Sequence, residues 1–93
     1  MVIGVLLIEL FIPGSHSLKE KRMVVKGLKD SIRSRFNVSV AEVDFHDLWQ
    51  KAKIGIASIG VEGSVVDKGF SAILNFIEEK AVAEIVDTKI ELL

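Results

Sequence analysis

The chain has 93 residues, a formal net charge of −1, 49% hydrophobic and 27% charged residues, and a mean hydropathy of +0.42. That length holds one domain, residues 1–93, with one core, and the apolar share excludes a disordered chain, which lacks enough burial to offset ordering entropy. The absence of cysteine excludes a disulfide framework, a thiolate nucleophile, a Cys-based zinc site and an iron–sulfur cluster.

In chain order, Met1–Ile12 is nearly all apolar and reads as a strand buried on both faces, central in a sheet. Glu9 interrupts the run and Pro13 ends it, far short of the ~20 residues of a membrane span, and it lacks a basic leader. A cytoplasmic protein without a signal peptide or membrane segment is therefore expected. After Pro13–Gly14, Ser17 stands three residues before Glu20, the spacing of a capping box. Leu18, Val25, Leu28 and Ile32 recur at helical spacing, which predicts a helix from Leu18 to Arg35. Val38–Phe45 alternates, with Ala41, Val43 and Phe45 on one side and Glu42, Asp44 and His46 on the other. A turn near Asp47–Gln50 leads to a Gly/Ala/Ile strand over Lys53–Val61. Ser64 and Asp67 give a second cap signal, and Val66, Phe70, Ile73, Leu74 and Ile77 form a helical face up to Lys80. Ala83–Leu92, rich in Val and Ile, closes as a strand.

The order βαββαβ predicts an α+β, ferredoxin-like domain: a four-stranded antiparallel sheet with two helices on one face, each half using the right-handed crossover. Nothing in the pattern covers the second face of the sheet. The first strand nevertheless offers Ile3, Val5, Leu7 and Phe11 to one side and Val2, Leu6, Ile8 and Leu10 to the other. A 93-residue chain buries only roughly 60–65% of its unfolded surface. Exposed apolar area costs ~25 cal/mol per Å², so a homodimer through the open sheet face is the expected remedy. The alternative is that terminal segments fold over it.

Net charge hides an asymmetry. Residues 1–40 carry +4 and residues 41–93 carry −5, with the positive half concentrated in the first helix. At 100° per residue Lys19, Arg22, Lys26, Lys29 and Arg33 form a stripe roughly opposite the apolar face, a candidate nucleic-acid surface. Lys21 and Arg35 project nearer the core, where long side chains snorkel outward. Lys19, Lys21 and Arg22 crowd the helix N-terminus, against the macrodipole, a local inconsistency that flags function. With the loop Gly14–Ser17 they suggest an anion pocket at Ser15, Ser17 and Lys21.

Catalysis is not expected. There is no Walker or dinucleotide glycine pattern, no Cys-x-x-Cys loop and no recognisable triad around His16, Ser17 and Asp44 or Asp47. The middle strands lack the aromatics on which RNA-recognition motifs stack bases. The two histidines, His16 and His46, lack metal-ligand spacing, so no metal or other cofactor is expected. One polar cluster remains open as site or scaffold: Glu42, Asp44, His46, Asp47, Gln50 and the only tryptophan, Trp49.

The blocks Ser17–Arg22 (SLKEKR) and Arg35–Asp44 (RFNVSVAEVD), with Asp47–Trp49 followed by Gln50, resemble the YlxP-like family, a bacterial family of unknown function. The resemblance implies a small ferredoxin-like domain and no established catalytic residues. Genes of that family lie near those for translation initiation and ribosome maturation in many bacteria, which leans the basic helix towards RNA. The expected function is a non-enzymatic accessory protein of translation or ribosome biogenesis, binding RNA or a ribosomal partner. The rival is a homo-oligomeric interaction module without nucleic acid, its basic helix meeting an acidic protein. A third class is an enzyme acting on a small anion at Ser15–Arg22.

Overall fold

The opening run of Val, Leu and Ile becomes β1 (Val2–Phe11), flanked on both sides by hydrogen-bonded neighbours. The computed structural model describes residues 1–93 and continues with α1 (Leu18–Arg35), β2 (Ser39–Asp44), β3 (Lys51–Gly60), α2 (Gly63–Lys80) and β4 (Glu84–Leu92). The strands form one antiparallel sheet in the order β2-β3-β1-β4, the βαββαβ arrangement expected. No helix is long and apolar enough to cross a membrane.

Period-two alternation sends Leu6, Ile8 and Leu10 of β1 and Ala52, Ile54 and Ile56 of β3 towards the helices, all at most 1% exposed. Val25, Leu28 and Ile32 of α1 and Val66, Phe70, Ile73 and Ile77 of α2 close over them. Each large aliphatic or aromatic side chain buried there contributes ~1.5–3 kcal/mol. Gly4 sets how close α2 lies to the sheet. A Cβ at that position would stand 2.5 Å from Val66 Cγ1 and 2.9 Å from Phe70 Cε2, so only glycine admits the contact.

α1 begins and ends where the spacing predicts. Ser17 Oγ accepts a hydrogen bond from the Glu20 amide at 3.1 Å, and Glu20 Oε2 accepts one from the His16 amide at 2.6 Å. The start of α2 differs from expectation. Its N-cap is Glu62, with no side-chain hydrogen bond, and Ser64 lies inside the first turn. Val66, packed on Gly4 and Gly60, fixes the phase of the helix, and the amides of Val65 and Val66 both donate to the Glu62 carbonyl. Tertiary packing therefore overrides the local cap signal.

Two irregularities shape the sheet. In β2, Glu42 stands opposite Ile54 but Asp44 stands opposite Lys53, so Val43 is an extra residue. In β4, Ile85 stands opposite Leu10 and Asp87 opposite Glu9, so Val86 is extra. The open face is uncovered. Met1 and Leu93 are 86% and 74% exposed, and the chain ends within the sheet, with the Leu93 amide donating to the Ile3 carbonyl at 2.7 Å. The terminal segments do not fold over it.

Candidate nucleic-acid interface

Four bases of the stripe each follow a buried residue: Arg22 after Lys21, Lys26 after Val25, Lys29 after Leu28 and Arg33 after Ile32. One step of 100° turns them from the core to the flank of α1 beside β2, not to the side opposite the core. There they line a cleft of about 360 Å³ with Asp30 and Glu42. Lys19, a turn further towards the N-terminus, is exposed and does not line it. The stripe from Lys19 to Arg33 extends ~21 Å along the helix at 1.5 Å per residue.

Asp30 organises half of these charges. Lys26 Nζ lies 2.8 Å from Asp30 Oδ2 and Arg33 Nη1 3.4 Å from Oδ1. The Lys26 hydrogen bond, with the positive charges of Lys26, Arg33 and Lys29 behind it, holds the Asp30 carboxyl below its ordinary value. Arg33 also donates from Nη2 to the Val40 carbonyl at 2.8 Å, tying α1 to the edge of the sheet. Lys19, Arg22 and Lys29 form no ion pair. The cleft thus presents fixed cations on one wall and leaves part of their charge uncompensated.

The expected anion pocket is reorganised. Lys21 does not snorkel outward: it is fully buried, its Nζ 2.7 Å from Glu42 Oε2 and donating to the carbonyls of Phe45 at 2.7 Å and His46 at 3.4 Å. Glu42 Oε2 is off-axis for a hydrogen bond, so that contact is an ion pair alone. Ser15 is 2% exposed and its Oγ donates to the Ser17 carbonyl, while the Ser17 hydroxyl caps α1. The carboxylate of Glu20 occupies the loop amide of His16. An anion at Ser15, Ser17 and Lys21 would have to displace the protein's own carboxylates, and Lys21 is out of reach.

The polar cluster on β2 is also rearranged. The extra residue at Val43 separates Glu42, on the helix side, from Asp44, opposite Lys53 on the open side, so Glu42, Asp44 and His46 do not share a face. His46 instead folds back with Nε2 3.2 Å from the Glu42 carbonyl, and Asp44 Oδ1 accepts from the Phe45 amide at 2.7 Å. Phe45 adopts a φ of 62°, which aims its carbonyl at Lys21. No group of three or more His, Asp or Glu side chains converges on one point. Gln50, which sequence reasoning grouped with a possible site, joins the two loops: its Nε2 donates to the carbonyls of Pro13 and Ser15, and its carbonyl accepts from the Ile12 amide at 2.8 Å. Trp49 is 56% exposed on the same turn.

The interlock of Lys21, Glu42 and Gln50 lies within the blocks that resemble the YlxP-like family. A model of the protein family of unknown function DUF503 matches residues 3–90. The chain belongs to that family. It is 35% identical over 77 residues to the uncharacterised protein YlxP of Bacillus subtilis (strain 168), covering 83% of this chain and 84% of the relative. The fold is similar to that of the de novo designed protein Foldit4, with a TM-score of 0.55 at 11% identity over 100% of this chain and 97% of that one. The designed protein bears on the fold alone, and neither similarity carries a molecular function.

Proposed function

We propose that this DUF503 protein is a non-enzymatic RNA-binding accessory factor whose α1–β2 cleft tracks the phosphate backbone. The observation that carries the reading is the convergence of Arg22, Lys26, Lys29 and Arg33 on one cleft, with Lys19 extending the same stripe. Such a surface positions a backbone and does not read bases, so affinity follows charge and not sequence. Five bases less Asp30 leave a net of about four phosphate contacts, giving a log–log salt slope near −3.6 on a duplex. Structured RNA, alone or on a ribosomal surface, is the partner class. Fluorescence anisotropy with a labelled RNA hairpin tests this: affinity falls steeply between low and high salt if the reading holds. A flat salt response, or no binding at low salt, refutes it.

A second reading is favoured by the open sheet face. Ile3, Val43 and Ile59 are 38%, 47% and 60% exposed there, and Val5, Leu7, Ala41 and Gly55 line a shallow apolar groove of about 260 Å³. The β4 side of that face is charged, with Asp87, Lys89 and Glu91 opposite Glu9, Leu7 and Val5. Homodimerisation through the β1–β3–β2 part of the face would bury the apolar area. Light scattering of wild type and Val43→Lys distinguishes the outcomes: loss of a dimer in the variant supports this interface, and a monomeric wild type ends it.

A further inference from the structure

The two edges of the sheet are treated differently. On β2 the outward carbonyls have side-chain partners: Arg33 donates to Val40 and the His46 ring sits against Glu42. Such covering is how soluble proteins prevent strands from adding to an edge. β4 has no side-chain cover of this kind, and its protection is limited to the extra residue at Val86 and the charges of Lys89 and Glu91. It runs for nine residues, Glu84–Leu92, and apart from half-buried Ile85 all of it is exposed, including Ile90 at 44% and Leu92 at 47%.

The register identifies which backbone groups are free. The Leu93 amide donates to the Ile3 carbonyl, so Leu93, Glu91 and Lys89 turn their peptide groups towards β1. Thr88, Ile90 and Leu92 therefore turn theirs outward, with no partner strand. Their side chains, opposite Ile8, Leu6 and Gly4, lie on the helix side, while Lys89 and Glu91, opposite Leu7 and Val5, lie on the open side.

We propose that β4 pairs with β4 of a second copy, antiparallel about a two-fold axis through Ile90. This register uses only the outward groups of Thr88, Ile90 and Leu92 and forms about six backbone hydrogen bonds. On the helix side it sets Ile90 against Ile90 and Leu92 against Thr88. On the open side it sets Lys89 of each copy against Glu91 of the other, joining the pairs that Lys89 Nζ and Glu91 Oε1 already make at 3.1 Å within each strand into one four-charge cluster. Centring on Lys89 would oppose lysine to lysine and Asp87 to Glu91, and centring on Thr88 would run the pairing into the extra residue at Val86. The pairing extends the sheet to eight strands in its own plane. It is independent of the RNA reading, and it leaves the apolar part of the open face uncovered.

The register dictates a charge-exchange experiment. A strand pair of this size belongs to the small class of interface, so sedimentation equilibrium is run up to about 200 µM. Lys89→Glu opposes glutamate to Glu91 twice, and Glu91→Lys opposes lysine to Lys89 twice. Each variant alone weakens the wild-type dimer by roughly thirty-fold. An equimolar mixture of the two restores it, because every cross-strand pair is then of opposite sign, and the double variant restores it as well. Val43→Lys leaves this dimer intact. Both charge variants are exposed, and circular dichroism verifies that they fold. A monomeric wild type over the whole range overturns the proposal, as does a mixture no more associated than its components. Loss of the dimer in Val43→Lys instead assigns association to the open face and also overturns it.

Discussion

Replacing Lys21 with Met removes the one charge that lies at 0% exposure in the molecule. The ammonium it deletes holds Glu42 Oε2 and the Phe45 and His46 carbonyls, and the Glu42 side chain it strands is only 14% exposed. Breaking a buried ion pair from one side costs ~3–5 kcal/mol, because the surviving charge stays desolvated. A domain of this size has ~5–14 kcal/mol in total at 0.05–0.15 kcal/mol per residue. The variant should therefore lose on the order of 20 °C in Tm. Glu42→Gln should cost a comparable ~3–5 kcal/mol, since it leaves the fully buried Lys21 ammonium with its carbonyl partners but no counter-charge. The double variant Lys21→Met/Glu42→Met should be more stable than Lys21→Met alone, and this sign is diagnostic of a buried pair. Urea unfolding followed by circular dichroism measures all four proteins. A loss below ~0.5 kcal/mol in Lys21→Met, the range of a surface substitution, would refute the interlock.

Four further outcomes follow from local geometry. Gly4→Ala drives a methyl into Val66 and Phe70 and should cost ~1–3 kcal/mol by overpacking, read from the same unfolding curves. Gly27→Ala should stabilise by ~0.5–1 kcal/mol, since a Cβ at this mid-helix position meets nothing within 4 Å. Asp30 titrates below its ordinary value, so its interaction with Lys26 stabilises the fold above the unfolded carboxylate range and is lost as pH falls through the folded value. Lys26→Ala should move the Asp30 titration, followed by NMR, back upwards. Asp30→Asn, which frees Lys26 and leaves Arg33 held only by the Val40 carbonyl, should tighten RNA binding several-fold and steepen its salt slope by about one unit.

The fold was legible because its signals agreed at several levels. Pro13 and Ser17 bracket the start of α1, the 3.6-residue period of Val25, Leu28 and Ile32 marks its buried side, and the unbroken apolar run of β1 marks a central strand. Where reading failed, a tertiary contact had won. Val66 on Gly4 moved the start of α2 ahead of Ser64, and the extra residue at Val43 separated Glu42 from Asp44 without any glycine or proline to announce it. The length of the Lys21 side chain leads one to expect it to snorkel outward from the core side. Its position in the Val25–Leu28–Ile32 series was the better guide, since i, i+4, i+7 and i+11 share one side of a helix. Four bases of the stripe share the cleft and Lys19 does not, and all sit less far round the helix than expected, because only the structure shows β2 rising beside α1.

RNA binding in this cleft is decided by comparing wild type with Arg22→Glu/Lys29→Glu on one labelled RNA hairpin at about 50 and about 200 mM salt. Both substituted residues are free of internal ion pairs, so the fold should survive the change. The wild type should lose about two orders of magnitude in affinity across that interval, and the variant should bind too weakly to saturate at either salt. Equal affinity of variant and wild type at low salt would contradict binding in the cleft.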